Sequence, residues 1–238
     1  MSVVRRDDLD EVGAGPLSRG AAVVLWALVI SLLTVLTGGL PLALVPFLAG
    51  DAGNVWLVAL FAVPMGPALA AAMFAWRRFV ADRDLSPGRH FWRGYALNVL
   101  DVLRWWVPTV LVLAVIAFSL ASLDAAGVPS GYGLVLVLIA VAVLVWAVLA
   151  MALSSRLSLR TRDVARLAAY YLAMKPLVGL GALSLVVLSV GIVLFTSDWV
   201  LVMLSGLLAF AVVTTTDPAV RDATERFTAP AEPDTPPS

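Results

Sequence analysis

"FAVPMGPALAAAMFAWRRF", Phe61 to Phe79, decides the class of fold. The stretch is apolar almost throughout and closes on Arg77 and Arg78, as a membrane helix does where it reaches the cytoplasmic surface. Pro64 and Pro67 stand on either side of Met65 and Gly66. Proline lacks a backbone donor and crowds the preceding turn, so the sequence predicts a kink or a helix start there, with the freed carbonyls satisfied inside a bundle. The following "GPALAAA", Gly66 to Ala72, offers small residues against which a second helix can pack closely. Pro64, Gly66 and Pro67 are therefore expected to form a helix-packing turn. The alternative is a solute-lining break of the kind seen in discontinuous transporter helices.

The rest of the chain agrees with a membrane class. Of 238 residues, 61% are hydrophobic and 13% charged, against about 25% charged in an average soluble domain. The absence of cysteine excludes disulfides, thiolate metal sites and cysteine nucleophiles. All basic residues except Lys175 are arginine, a bias expected of a GC-rich bacterial genome.

A hydrocarbon core of about 30 Å takes roughly 20 apolar residues per helix. Six runs qualify: Ala21 to Phe47, Val55 to Trp76, Trp105 to Leu123, Tyr132 to Leu153, Leu177 to Phe195 and Trp199 to Thr215. The first is too long for one straight span, and its "TGGLPLALVP" predicts a helix to about Thr37 followed by a broken or re-entrant stretch. The expected fold is thus an all-α, polytopic bundle of six transmembrane helices over residues 20–216. Residues 1–19 are a cytoplasmic segment, too acidic for a cleaved signal peptide. Residues 217–238, ending in "TAPAEPDTPPS", are expected to be a disordered cytoplasmic tail.

Basic residues stay on the cytoplasmic side of short loops. With six spans all sixteen lie on one side, and the three opposite loops carry only Asp51, Asp124 and Asp198. Both termini should be cytoplasmic, in a bacterial plasma membrane. A five-span chain would leave Arg221 and Arg226 outside.

None of the six apolar runs contains an ionisable residue, which argues against a charge-coupled carrier, pump or voltage sensor. The usual metalloprotease, hydrolase and nucleotide-binding motifs are also missing. His90 is the sole histidine and has no metal-binding companions nearby in sequence. No enzymatic activity, cofactor, metal or nucleic-acid partner is expected.

"SPGRHFWRGYALNVLDVLRWWVP", Ser86 to Pro108, places Phe91, Tyr95, Asn98 and Val102 at helical spacing among Arg89, Trp92, Arg93, Arg104, Trp105 and Trp106. This pattern predicts an amphipathic helix on the inner membrane surface over about 86–104. A comparable segment, "RTRDVARLAAYYLAMKP", Arg160 to Pro176, predicts a second over about 160–175. The chain would then repeat an interfacial helix followed by a membrane hairpin. Arg77, Arg78, Arg89, Phe91, Trp92, Arg93, Asn98 and Arg104 are candidates for interfacial anchoring or partner docking.

The segment Pro64 to Pro108 resembles the YesL-like family of bacterial integral membrane proteins, in its actinobacterial branch. That family's proline and glycine turn, small-residue helix, basic pair and "F-x-x-x-x-x-N" segment correspond to Pro64 and Gly66, Ala68 to Ala72, Arg77 and Arg78, and Phe91 to Asn98. Family members usually place several residues between the proline and the glycine, where this chain has Met65 alone. The resemblance implies a small membrane protein associated with a carbohydrate ABC transporter or another membrane protein, with no assigned reaction. The expected function is a non-enzymatic accessory or regulatory role in carbohydrate uptake. The rival is a transporter or permease subunit for a neutral solute, although "RDVARLAAYYLAMKP" lacks the acidic start and the glycine of an ABC coupling helix.

Overall fold

The structure is a computed structural model that describes residues 16–48, 51–82, 86–156, 161–196 and 198–227. Among these residues every regular element is helical. Among the described residues, five helical stretches are long and apolar enough to cross a membrane: Gly20–Gly39, Ala52–Ala81, Pro87–Ala121, Gly131–Ser154 and Pro176–Phe195. The chain is therefore a multi-pass helical membrane protein by the length and composition of its helices.

Helix α1, Pro16–Thr34, opens on a proline, whose missing donor costs nothing in a first turn. It widens into a π turn over Val35–Gly39 and tightens into a 3-10 run over Pro41–Phe47, so the long first apolar run is broken where the glycines and prolines cluster. Asp51 then accepts from the Asn54 N–H at 3.0 Å and caps the short turn that leads into α2, Val55–Ala62. After the break at Val63 and Pro64 the chain resumes as α3, Met65–Asp82.

The expected surface helix over 86–104 is instead the first half of α4, Pro87–Ala121, which continues unbroken through Trp105 and Pro108. A helix of 35 residues is about 52 Å long. It lies antiparallel to α3: Gly94 leaves room for the Phe74 ring, and Gly66 of α3 leaves room for Trp106. Helices α5, Ser130–Ser154, α6, Thr161–Met174, and α7, Pro176–Phe195, follow. The second predicted surface segment is thus a separate helix, α6, with Val164, Ala168 and Tyr171 buried and Arg162, Asp163 and Arg166 exposed. Arg160 lies outside the described residues.

The last apolar run, Trp199 to Thr215, is not one helix. It divides into α8, Asp198–Met203, and α9, Ser205–Phe227. Helix α9 runs antiparallel to α7, with Gly181 against Thr215. Near the start of α7, Lys175 Nζ donates to the Pro218 carbonyl at 2.9 Å and lies 3.6 Å from Asp222, which accepts from the Tyr171 hydroxyl at 2.7 Å. Because α9 continues to Phe227, residues 217–227 are helical, contrary to the expected tail, and the rest of that tail, 228–238, lies outside the described residues.

Helices α3 and α9 form the middle of the bundle because their small residues allow it. Ala68, Ala70, Ala71, Ala72 and Ala75 of α3 are fully buried, as are Ala219 and Ala223 of α9. Trp26, Trp76 and Phe79 close the packing between α1 and α3. On the outside, Leu134 and Leu138 of α5 and Leu188 and Phe195 of α7 are exposed, which suits lipid tails as neighbours.

Candidate functional site

The turn at Pro64 is built so that its lost hydrogen bonds are replaced. Pro64 has no N–H, and the Val63 N–H closes instead on Leu60 O at 3.2 Å. The Gly66 N–H turns to Val63 O at 3.4 Å, which leaves the Ala62 carbonyl without its usual partner four residues ahead. The Trp106 indole Nε1 donates to that carbonyl at 3.1 Å. Gly66 is what lets the indole in, since a β-carbon there would overlap the Trp106 ring. Gly66 and the Ala62 carbonyl, on either side of Pro64, thus both meet Trp106 of α4.

The candidate docking residues separate into two faces. Arg89, Trp92, Arg93 and Arg104 are exposed, together with Leu97 and Leu100, and their spacing of three and four residues sets them in one stripe along α4. Arg104 is paired with Asp101 at 2.7 Å. Phe91 faces inward, fully buried and 6.4 Å from the Tyr95 ring, and the Asn98 amide donates to Gly94 O at 2.9 Å. The face Phe91, Tyr95, Asn98 and Val102 is accordingly the one that turns toward the bundle. Arg77 and Arg78 also diverge. Arg77 is turned inward and donates to Ala152 O at 2.6 Å, while the Arg78 guanidinium lies 5.7 Å from the centre of the Phe74 ring. His90 is buried and stacks on Trp26 at 6.1 Å.

A second helix interruption, at Leu204, was not legible in the sequence. Leu204 closes α8 by donating to Val200 O and accepts from the Leu208 N–H, each at 2.9 Å. Gly206 sits one residue into α9, pressed against α1. Its N–H donates to Ser31 Oγ at 3.0 Å and its carbonyl accepts from Trp76 Nε1 at 2.7 Å. A β-carbon at Gly206 would stand 2.6 Å from the Ala27 carbonyl oxygen, so only glycine permits this approach.

Between the two interruptions lies a cavity of about 420 Å³, bounded by Met65 and Leu69 of α3, Trp106, and residues of α5, α7, α8 and α9. Its lining carries no charged side chain, and its hydroxyls are Ser189 and Ser205. Ser189 Oγ donates to Leu185 O at 2.8 Å, the habit of helix hydroxyls. Ser205 is 2% exposed and its Oγ has no hydrogen-bond partner. Ser205 and Gly206 stand inside an apolar run; their adjacent small, polar pattern was the available signal.

Searches against protein-family models, curated proteins and solved structures return no match to this chain. The resemblance to the YesL-like family rests on the residues from Pro64 to Pro108 and, outside them, on chain length and helix layout.

Proposed function

We propose that the protein is a six-span, non-enzymatic accessory component of a carbohydrate-uptake system, docking a membrane partner along the exposed stripe of α4. In this reading α8 and α9 together make the sixth crossing. Their course antiparallel to α7 supports it, as does the gathering of all sixteen basic residues on one side that a sixth crossing produces. Single cysteines at Asp51 and Asp124 should then react with an impermeant maleimide in intact cells, and cysteines at Arg89 and Arg221 only after permeabilisation. Labelling at Arg221 from outside would leave five crossings and defeat the topology.

The observation that carries the docking role is the stripe itself. Arg89, Arg93, Leu97 and Leu100 are exposed on one face of α4 while the opposite face is consumed in packing. The carbohydrate association comes from the family resemblance. The cavity offers a sugar one unspent hydroxyl among aliphatic walls, which favours the accessory role over a permease for polar solutes. Replacing Arg89, Arg93 and Arg104 together by Gln should preserve insertion, because Arg77 and Arg78 remain to hold the topology. It should reduce co-purification of a transporter and slow growth on the carbohydrate that transporter handles. Wild-type uptake in a deletion strain, with no protein co-purifying, would sink the proposal.

A further inference from the structure

The unspent Ser205 hydroxyl and the cavity around it point to a function that the α4 stripe does not cover: we infer that the cavity between α3, α5, α7 and α9 binds a lipid acyl chain, whose carbonyl accepts a hydrogen bond from Ser205 Oγ.

Three features select this occupant. The first is the way in. Val190 and Leu194 line the cavity and are also exposed on the outer surface of α7, at 44% and 75%, so the opening lies on an apolar flank of the bundle. A ligand entering there comes from the bilayer. The second is the lining, which has no charge and is apolar apart from Ser189 and Ser205. A head group bearing charge would be stripped of water there with nothing to pair with, so it stays outside and the chain enters. The cavity's volume falls within the roughly 300–1,000 Å³ of small-ligand sites.

The third feature is Ser205. Thr34, Thr109, Ser189 and Thr216 each give their hydroxyl proton to the carbonyl four residues earlier. Ser205, the first residue of α9, makes no such bond. Its donor is left over in the cavity wall, closed to the lumen as it stands, and a turn about the Ser205 Cα–Cβ bond presents it to an occupant. An ester or carboxyl carbonyl attached to an alkyl chain supplies the missing acceptor and fills the apolar volume at once. Ser205 stands seven residues past Asp198, about 10 Å of helical rise, which suits a carbonyl just below the head-group layer.

The full chain, reconstituted in phosphatidylcholine nanodiscs, is photolabelled with either of two probes. One is palmitic acid carrying a diazirine in its chain; the other is a phosphatidylcholine with the same diazirine chain. Adducts are mapped by mass spectrometry on Ala147 and Val212, which line the cavity but are shielded from the surrounding bilayer. Saturable labelling there by either probe is expected, and the effective probe identifies the source as a free fatty acid or a membrane phospholipid. Val190→Trp, at the exposed mouth, should abolish it; Leu194→Trp serves the same purpose if the first variant does not fold. Ser205→Ala should weaken labelling by the effective probe about fivefold, the loss of one hydrogen bond. It should leave labelling by a diazirine alkane of equal length unchanged. The absence of saturable adducts on Ala147 and Val212 with both probes would overturn the site. An equal loss for probe and alkane in Ser205→Ala would overturn the hydrogen bond, as would no loss for either.

Discussion

The helix interruptions at Pro64 and at Leu204 end differently. At Val63 and Pro64 the backbone loses donors to two prolines, and the bundle repairs the loss: hydrogen bonds spanning three residues instead of four close on Leu60 and Val63, and Trp106 crosses from α4 to take the Ala62 carbonyl. At Leu204 no proline is involved. There the backbone groups of Gly206 are taken by Ser31 and Trp76, but the neighbouring Ser205 hydroxyl is left without a partner in the wall of a cavity. Both interruptions border that same cavity, through Met65 and Ser205. A repaired break is a packing device, whereas one that leaves a buried donor unspent has capacity for a ligand.

The contrast makes graded predictions. The largest effect is expected at Gly206, where an added β-carbon would meet backbone as well as the Ser31 hydroxyl: the Ala27 carbonyl oxygen at 2.6 Å and the Ser31 nitrogen at 3.0 Å. Gly206→Leu should cost about 3 kcal/mol or more and eliminate monodisperse protein on size exclusion in detergent. Wild-type yield would mean that α1 and α9 do not approach as described.

Gly66→Leu should be less severe, about 2 kcal/mol, because the obstacle is the Trp106 side chain, which can swing aside. It would then abandon the Ala62 carbonyl, so the thermal midpoint should fall and the variant should become insensitive to a further Trp106→Phe change. Additive losses in the double variant would show that glycine and indole do not act through the same contact.

The smallest effect belongs to Ser205→Ala. With no partner to lose, the hydroxyl contributes nothing to the ligand-free fold, and stability in delipidating detergent should change by less than about 0.5 kcal/mol or rise slightly. A loss of more than about 1 kcal/mol would reveal a protein partner for the hydroxyl and erase the difference between the two interruptions.

A similar lesson comes from the two prolines that follow aromatic and basic segments, in "RWWVP" and "YYLAMKP". They look alike in sequence, and the suspected repeat depends on treating them alike. Pro108 is embedded in α4, which passes through it while Trp105 contacts Trp146 and Trp106 holds the turn of α3. Pro176 begins a new helix, because Lys175 before it is extended, at φ −122° and ψ 77°, and is held by Pro218 and Asp222 of α9. Proline restricts its predecessor but does not forbid a continuous helix, so neighbours decide.

What the sequence by itself determined is the part governed by solvent. Apolar length and the near absence of charge require membrane helices, because unpaired peptide groups are too costly in hydrocarbon. The prolines and glycines announced a break after about Thr37, which the structure begins at Thr34, and another at Pro64, since those residues act on their own backbone. Arg89, Arg93 and Arg104 were legible as an exposed set and Phe91 as part of an apolar face, through helical periodicity alone. Only tertiary structure decided that this face packs in the bundle, that Trp106 serves the Ala62 carbonyl, and that α8 and α9 separate beside α1. It also decided that Ser205 is left without a partner. Each of those outcomes depends on which atom, distant in sequence, arrives within hydrogen-bonding or van der Waals distance, and local propensity carries no information about that.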